Sequence, residues 1–209
     1  MRAVPSPARP GVAPAGAGRL TLTFSGAVLC GGSSRRMGRD KATLLVDGAP
    51  MAGRVAAALR EAGAAEVFAV GGDAHALASI GLSVVADDEP GEGPFPATLT
   101  ALRHASSDVV VVLSCDLLAP SAATISTLVE RVQAAGPEEL GAVPVVDGHE
   151  QWTHMVWRRA ALGALEAARH RGVGSLRRAC SDLPLLRIPD LPAPDLADAD
   201  EPGDLPGSG

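Results

Sequence analysis

Residues 24–41 read Phe-Ser-Gly-Ala-Val-Leu-Cys-Gly-Gly-Ser-Ser-Arg-Arg-Met-Gly-Arg-Asp-Lys, an apolar run of strand length that passes directly into two glycines and a cluster of cations. The run 24–29 lacks the polar alternation of a strand with one wet face, so it belongs at the centre of a sheet covered on both sides. Residues 109–113 (Val-Val-Val-Val-Leu) have the same character, and shorter apolar runs recur at 66–70, 82–86 and 141–145. Helical spacing occupies most of the intervals, at 51–62 ahead of Gly63, at 98–105 and at 121–135, where Ser121 and Thr124 are candidate caps. Strands alternating with helices predict an α/β domain with a parallel sheet, helices on both faces and right-handed crossovers. Residues 151–158 are compatible with one more strand and 159–169 with a further amphipathic helix.

The chain has 209 residues, 46% of them apolar, enough for one substantial core. Prolines break residues 1–22 repeatedly, and no continuous apolar stretch of signal-peptide type occurs there, so this part is expected to be a flexible extension. The domain is expected to span residues 23–205, with 206–209 a flexible end. A net charge of −6 speaks against general nucleic-acid binding, which needs a broad basic surface, so any phosphate site must be local. No segment is long and apolar enough to span a bilayer. Three widely spaced cysteines, Cys30, Cys115 and Cys180, fit neither a disulfide framework nor paired zinc ligands, and a reducing cytoplasm is the simplest setting.

In open parallel sheets ligands gather beyond the carboxyl ends of the strands, which directs attention to the loops after each apolar run. After the first run, Gly31 and Gly32 allow a ligand close to the backbone, and Arg36 and Lys41 add cations suited to polyphosphate. Neither a P-loop nor a GxGxxG dinucleotide pattern is present. The alternative for this stretch is a solvated basic turn. Asp116 follows the buried run 109–113, where a carboxylate needs a cation or a hydrogen-bonding partner; it is either a magnesium ligand or a helix cap, and Pro120 weakens the second reading. Asp87-Asp88-Glu89-Pro90-Gly91-Glu92-Gly93-Pro94 is either a turn facing base or ribose or an ordinary acidic loop. Trp152 and His154 either line a second-substrate pocket or are structural.

Together these residues resemble the molybdenum cofactor guanylyltransferases, the MobA-type enzymes. Their opening pattern, Leu-Ala-Gly-Gly followed by Arg-Met-Gly-x-Asp-Lys, is matched by Leu29-Cys30-Gly31-Gly32 and Arg36-Met37-Gly38-Arg39-Asp40-Lys41. The resemblance implies a single Rossmann-like, doubly wound, mostly parallel sheet of the nucleotide-diphospho-sugar transferase type. It implies transfer of GMP from GTP to molybdopterin cofactor with release of pyrophosphate, and a requirement for Mg2+. By the same resemblance Leu29, Cys30, Gly31, Gly32, Asp87, Gly93 and Pro94 bind nucleotide. Arg36, Lys41 and Asp116 bind it as well and carry catalysis, and Asp116 and Asp200 hold the metal. Transient contact with cofactor-biosynthesis proteins or acceptor enzymes is expected on the same ground.

Several positions depart from the family pattern. Cys30 stands where alanine is usual, Phe95-Pro96-Ala97 where Leu-Ala-Gly is expected in a loop close to the ligand, and Val70 where an asparagine can occur. Asp198-Ala199-Asp200-Glu201-Pro202-Gly203-Asp204-Leu205 resembles an Asn-x-Asn-Thr-Pro-Glu-Asp-Leu segment with both asparagines replaced. Either this tail returns to the site or it is a solvated acidic end. Residues 172–176 with Arg177 and Arg178 either bind an anionic pterin phosphate or form an exposed helix face. Two other functions remain open: a related transferase acting on another nucleotide or acceptor, such as CTP with molybdopterin or a sugar phosphate, and a nucleotide-binding partner protein without turnover.

Overall fold

The computed structural model describes residues 23–31, 41–199 and 204. Its main sheet has eight strands: β1 (Ser25–Leu29), β4 (Glu66–Val70), β5 (Ser83–Val85), β6 (Val109–Ser114), β7 (Gly141–Val146), β8 (His149–Glu150), β9 (His154–Arg158) and β10 (Leu185–Ile188). Two short strands, β2 (Leu45–Val46) and β3 (Ala49–Pro50), form a separate hairpin. The helices are α1 (Met51–Glu61), α2 (Ala74–Ser79), α3 (Pro94–His104), α4 (Ala122–Ala134), α5 (Leu162–His170) and α6 (Leu176–Ala179). The strand order is β10-β7-β9-β6-β1-β4-β5, with β8 paired to β7.

As the two uninterrupted apolar runs require, β1 and β6 are adjacent, internal and buried on both faces. Their side chains alternate between two cores. Val28, Val111 and Leu113 pack with α1 and α4 through Val55, Leu59, Ile125 and Leu128. Ala27, Leu29, Val110 and Val112 pack with α3 and α5 through Leu99, Leu102 and Leu165. The fold is thus doubly wound, and β1 is its switch point, with β4 on one side and β6 on the other.

Two elements differ from expectation, β9 in direction and start and α3 in its start. β9 runs antiparallel to both β6 and β7, because the chain reverses after β7 at Asp147-Gly148, where both residues have positive φ. Asp-Gly is the two-residue signal of such a hairpin, and Asp47-Gly48 repeats it between β2 and β3. The strand expected over 151–158 starts only at His154. The helix expected from Thr98 starts at Pro94, with Gly93 (φ 92°) as its N-cap. Phe95, Pro96 and Ala97 therefore lie in its first turn, all three buried, and not in a loop against a ligand. Pro94 and Pro96 are tolerated there because the first turn's N–H groups have no intrahelical acceptor.

Candidate active site

The carboxyl ends of β6, β1, β4 and β5 lie side by side, and backbone hydrogen bonds tie them together. Cys115 N donates to Leu29 O (3.1 Å), Cys30 N and Gly31 N both donate to Val70 O (2.9 and 3.1 Å), and Gly71 N donates to Val85 O (2.9 Å). This draws the chain leaving β1 across the end of β4. Gly71, at φ +70°, makes the approach possible, since a Cβ there would sit 2.9 Å from Gly31 Cα. Gly31 in turn lies against Asp87, whose Oδ2 would be 3.4 Å from a Cβ at position 31. The Gly31 N–H is already engaged by Val70 O, so Gly31 opens this wall through its missing side chain and offers no amide to phosphate. Val70, where the family pattern can place asparagine, is fully buried and meets the loop through its carbonyl.

Asp116 is the second residue beyond β6. Ser121, and not Asp116, caps α4 by accepting from Thr124 N. The Asp116 carboxylate instead accepts from the Ser114 hydroxyl through Oδ1 and from Lys41 Nζ through Oδ2 (3.1 Å). Lys41 opens a short 3-10 turn, Lys41–Thr43, and its Nζ also donates to Ala199 O (2.6 Å). Both members of the ion pair are largely buried, with side chains 18% and 17% exposed. A cation and a carboxylate 75 positions apart in the chain thus meet where the two central strands end.

The tail residues 197–199 reach this place. Leu117 and Asp198 form an antiparallel bridge, Leu118 N donates to Ala197 O, and Ala199 N donates to Asp116 O (both 2.9 Å). Ala199 is fully buried against Val46 and Met51. The reading of this stretch as a solvated acidic end is therefore wrong as far as Ala199. Asp200 lies outside the described residues, as do Gly32, Arg36 and the rest of 32–40. Among the described residues no group of three or more His, Cys, Asp or Glu is placed to hold a metal ion.

The loop after β5 is held from α3 and α5, by arginines that sequence reasoning did not single out. Arg103 bonds Asp88 (2.7 Å) and Glu166 (2.8 Å); Arg169 bonds Glu89 and lies 3.6 Å from Glu92. The Arg169 hydrogen bond holds the Glu89 carboxyl below the usual glutamate range. Glu89 N donates to Asp87 Oδ1 (3.1 Å), which leaves Oδ2 as the atom facing Gly31. At the N-terminus of α3, Pro94 and Pro96 remove two of the first three N–H donors, so this end is poor in anion-binding amides. His154 is fully buried and bonded to Asp198 (2.9 Å), and Trp152 packs against the α3–α5 core. Arg177 and Arg178 lie exposed on α6, a helix of four residues.

A lysine and a strand-end carboxylate meeting at the switch point of a doubly wound sheet is an arrangement suited to nucleotidyl transfer, and the class of the protein is that of the α/β nucleotidyltransferases. The MobA-like NTP transferase domain matches residues 26–184, and the chain belongs to that family. Among its relatives is an Opitutus terrae protein named "Probable molybdenum cofactor guanylyltransferase", 34% identical over 158 residues, covering 74% of this chain and 76% of the relative. A protein of the same name from Methanothermobacter thermautotrophicus is 30% identical over 159 residues, with 72% and 80% covered. Among solved structures, molybdopterin-guanine dinucleotide biosynthesis protein A from Archaeoglobus fulgidus superposes with a TM-score of 0.73 at 22% identity, over 88% of this chain and 96% of that one. The 2-C-methyl-D-erythritol 4-phosphate cytidylyltransferase of Thermus thermophilus shares the fold with a TM-score of 0.66 at 17% identity, over 85% and 93%. Among the described residues, no helix is long and apolar enough to cross a membrane.

Proposed function

We propose that this enzyme transfers GMP from GTP to the terminal phosphate of molybdopterin cofactor and releases pyrophosphate. The observation that carries the reading is the Lys41–Asp116 contact at the joint ends of β1 and β6, in a chain whose relatives are named for guanylyl transfer to this cofactor. An oxygen of the acceptor phosphate forms a bond to the α-phosphorus of GTP. The bond from that phosphorus to the α–β bridging oxygen breaks, and pyrophosphate leaves with the electron pair. The attacking oxygen is already ionised near neutral pH, so no general base is required. Charge neutralisation and alignment are then the main tasks of the site.

Lys41 and Arg36 hold the triphosphate and stabilise the departing pyrophosphate. Leu29, Cys30 and Gly31 form the backbone wall over which the nucleotide lies, Gly32 is assigned to nucleotide binding with them, and Asp87 Oδ2 faces ribose or base across Gly31. Gly93 and Pro94, at an α3 end with few free amides, address the base rather than the phosphates. A hard cation such as Mg2+ takes one or two carboxylates plus phosphate oxygens, so Asp116 would hold it, with Asp200, which lies outside the described residues, as the second carboxylate we assign. When bound, it neutralises charge on the α-phosphate and the leaving group. Before substrate arrives, Lys41 and Asp116 neutralise each other, which keeps both groups in position in a partly buried site.

The test is pyrophosphate release from purified protein with Mg2+, molybdopterin cofactor and, in parallel, GTP, CTP, UTP or ATP. Release with GTP in clear preference is expected. Preference for CTP overturns the guanine assignment, and no release with any of the four overturns nucleotidyl transfer to this acceptor.

A further inference from the structure

The segment ending at Ala199 is rich in proline and aspartate, and Leu196 and Ala199 are its well-buried apolar residues, so apolar burial alone holds it weakly. It nevertheless supplies the carbonyl that binds Lys41 Nζ and the N–H that binds Asp116 O. Among the described residues, one side-chain pair joins it to the sheet, while Asp195, nearer its start, accepts from the Thr124 hydroxyl of α4. His154, the first residue of β9, is fully buried opposite Leu113 of β6, and its Nε2 lies 2.9 Å from Asp198 Oδ1. An ionised carboxylate only accepts hydrogen bonds, so Nε2 carries the hydrogen and donates it. The other ring nitrogen, Nδ1, is buried and has no partner among the described residues, while Thr153 Oγ1 stands 3.5 Å from Nε2, at the limit of a hydrogen bond. The imidazole is thus tethered on one side, by Asp198. Removing the carboxylate would leave both ring nitrogens of a wholly buried ring without a good partner.

We propose that His154 and Asp198 form a latch that docks residues 197–199 on the strand end carrying Asp116, and that His154 is thereby a positioning residue for Lys41 and Asp116. The docking itself stands on the geometry, whereas its kinetic consequence rests on the nucleotidyl-transfer reading above. Asp198 is a neighbour of Leu117 in the bridge and of Ala199 in the chain. Its side chain therefore fixes the register of the tail against residues 116–118. A register shift of one residue would replace Ala199 O beside Lys41 by a different carbonyl and turn the Asp198 side chain away from β9. The His154 end is equally well referenced to the site, since Ser114 N donates to Thr153 O (3.1 Å) and the Ser114 hydroxyl donates to Asp116.

The experiment is hydrogen exchange at single-amide resolution on the full chain, run beside pyrophosphate release, for wild type, Asp198→Ala, Asp198→Asn, His154→Leu and the double variant Asp198→Ala/His154→Leu. Asp198→Ala is expected to speed exchange of the Leu118 and Ala199 amides by on the order of tenfold while those of Val110 and Val112 keep their protection. Asp198→Asn retains an acceptor and is expected to restore most of that protection. The double variant should be no looser than either single one, because both remove one interaction. Turnover should fall in step with the loss of protection at Ala199 and return with Asp198→Asn. Unchanged exchange at Leu118 and Ala199 in Asp198→Ala, or additive effects in the double variant, overturns the latch. If wild type turns over none of the four nucleotides, the proposed reaction fails, while the exchange arm still decides the latch.

Discussion

Replacing Asp116 by asparagine separates nucleotide binding from turnover, because in the free protein Asp116 occupies the cation that the proposed reaction needs. Two unit charges 3.1 Å apart attract by about 5 kcal/mol at an effective dielectric of about 20. Desolvation of two side chains that are mostly buried offsets most of this, leaving a net pair energy of about 1 kcal/mol. A triphosphate arriving without metal must displace the carboxylate from Lys41. In Asp116→Asn that displacement is largely gone, so GTP affinity measured in EDTA should rise by about fivefold, the factor corresponding to about 1 kcal/mol. Turnover with Mg2+ should move the other way. Loss of a group that stabilises transition-state charge typically removes about 3–4 kcal/mol, a fall of about 100- to 1000-fold. Calorimetric titration of GTP in EDTA and single-turnover pyrophosphate release measure the two quantities independently. Turnover within tenfold of wild type, or metal-free affinity that drops tenfold, would refute the assignment of Lys41 to phosphate and Asp116 to metal.

Gly71→Ala places a Cβ 2.9 Å from Gly31 Cα at a residue with positive φ, so urea denaturation should show a loss of about 2–3 kcal/mol; a loss below 0.5 kcal/mol would show that the β1 and β4 ends can separate freely. Glu66 receives hydrogen bonds from the Ser25 hydroxyl (2.6 Å) and from the backbone and hydroxyl of Ser106 (2.7 Å each), which hold its carboxyl below its ordinary value of 4.5. A folded value below the unfolded one stabilises the protein above pH 4.5, and that contribution is lost as pH falls through the folded value. The gap in urea midpoint between wild type and Glu66→Gln should therefore be constant at neutral pH and narrow progressively below about pH 4.5; a gap at pH 3 undiminished from its neutral value contradicts this. Burial pushes the Cys180 thiol up to about 12, so native protein should leave Cys180 unalkylated by iodoacetamide at pH 8, whereas unfolded protein should take up label at all three cysteines; rapid native labelling at Cys180, read by peptide mass spectrometry, would refute its burial.

The parts of the fold legible in the sequence are those governed by local patterning. Residues 66–70 form β4 with the expected bounds, and 122–134 form α4 between Ser121 and Ala135 as its caps, because strand runs and capped helices are written in adjacent residues. The reversal at Asp147-Gly148 was also written there, in a dipeptide that specifies a two-residue hairpin, and with it the antiparallel β9 could have been anticipated. The helix start at Pro94 was obscured because Gly93-Pro94 reads equally as a turn. Arg103 and Arg169 carried no local signal, since Asp88 and Glu89 lie in a loop, and Glu166 on α5, that only the packing of α3 and α5 brings near.

By itself the sequence determined the class of fold and the chemical character of its first loop: apolar runs too uniform for a wet face must be central strands, and glycines followed by cations at a strand end suit phosphates. It named Lys41 and Asp116 as separate candidates. Only the tertiary structure decided that they touch, that the Gly31 amide is spent on Val70, and that the acidic tail turns back at Asp198 to bind both His154 and the Asp116 strand end. Strand and helix preferences depend on neighbours a few residues apart, whereas these contacts join residues 39 to 83 positions apart and exist only once the sheet order has set which strand ends lie side by side.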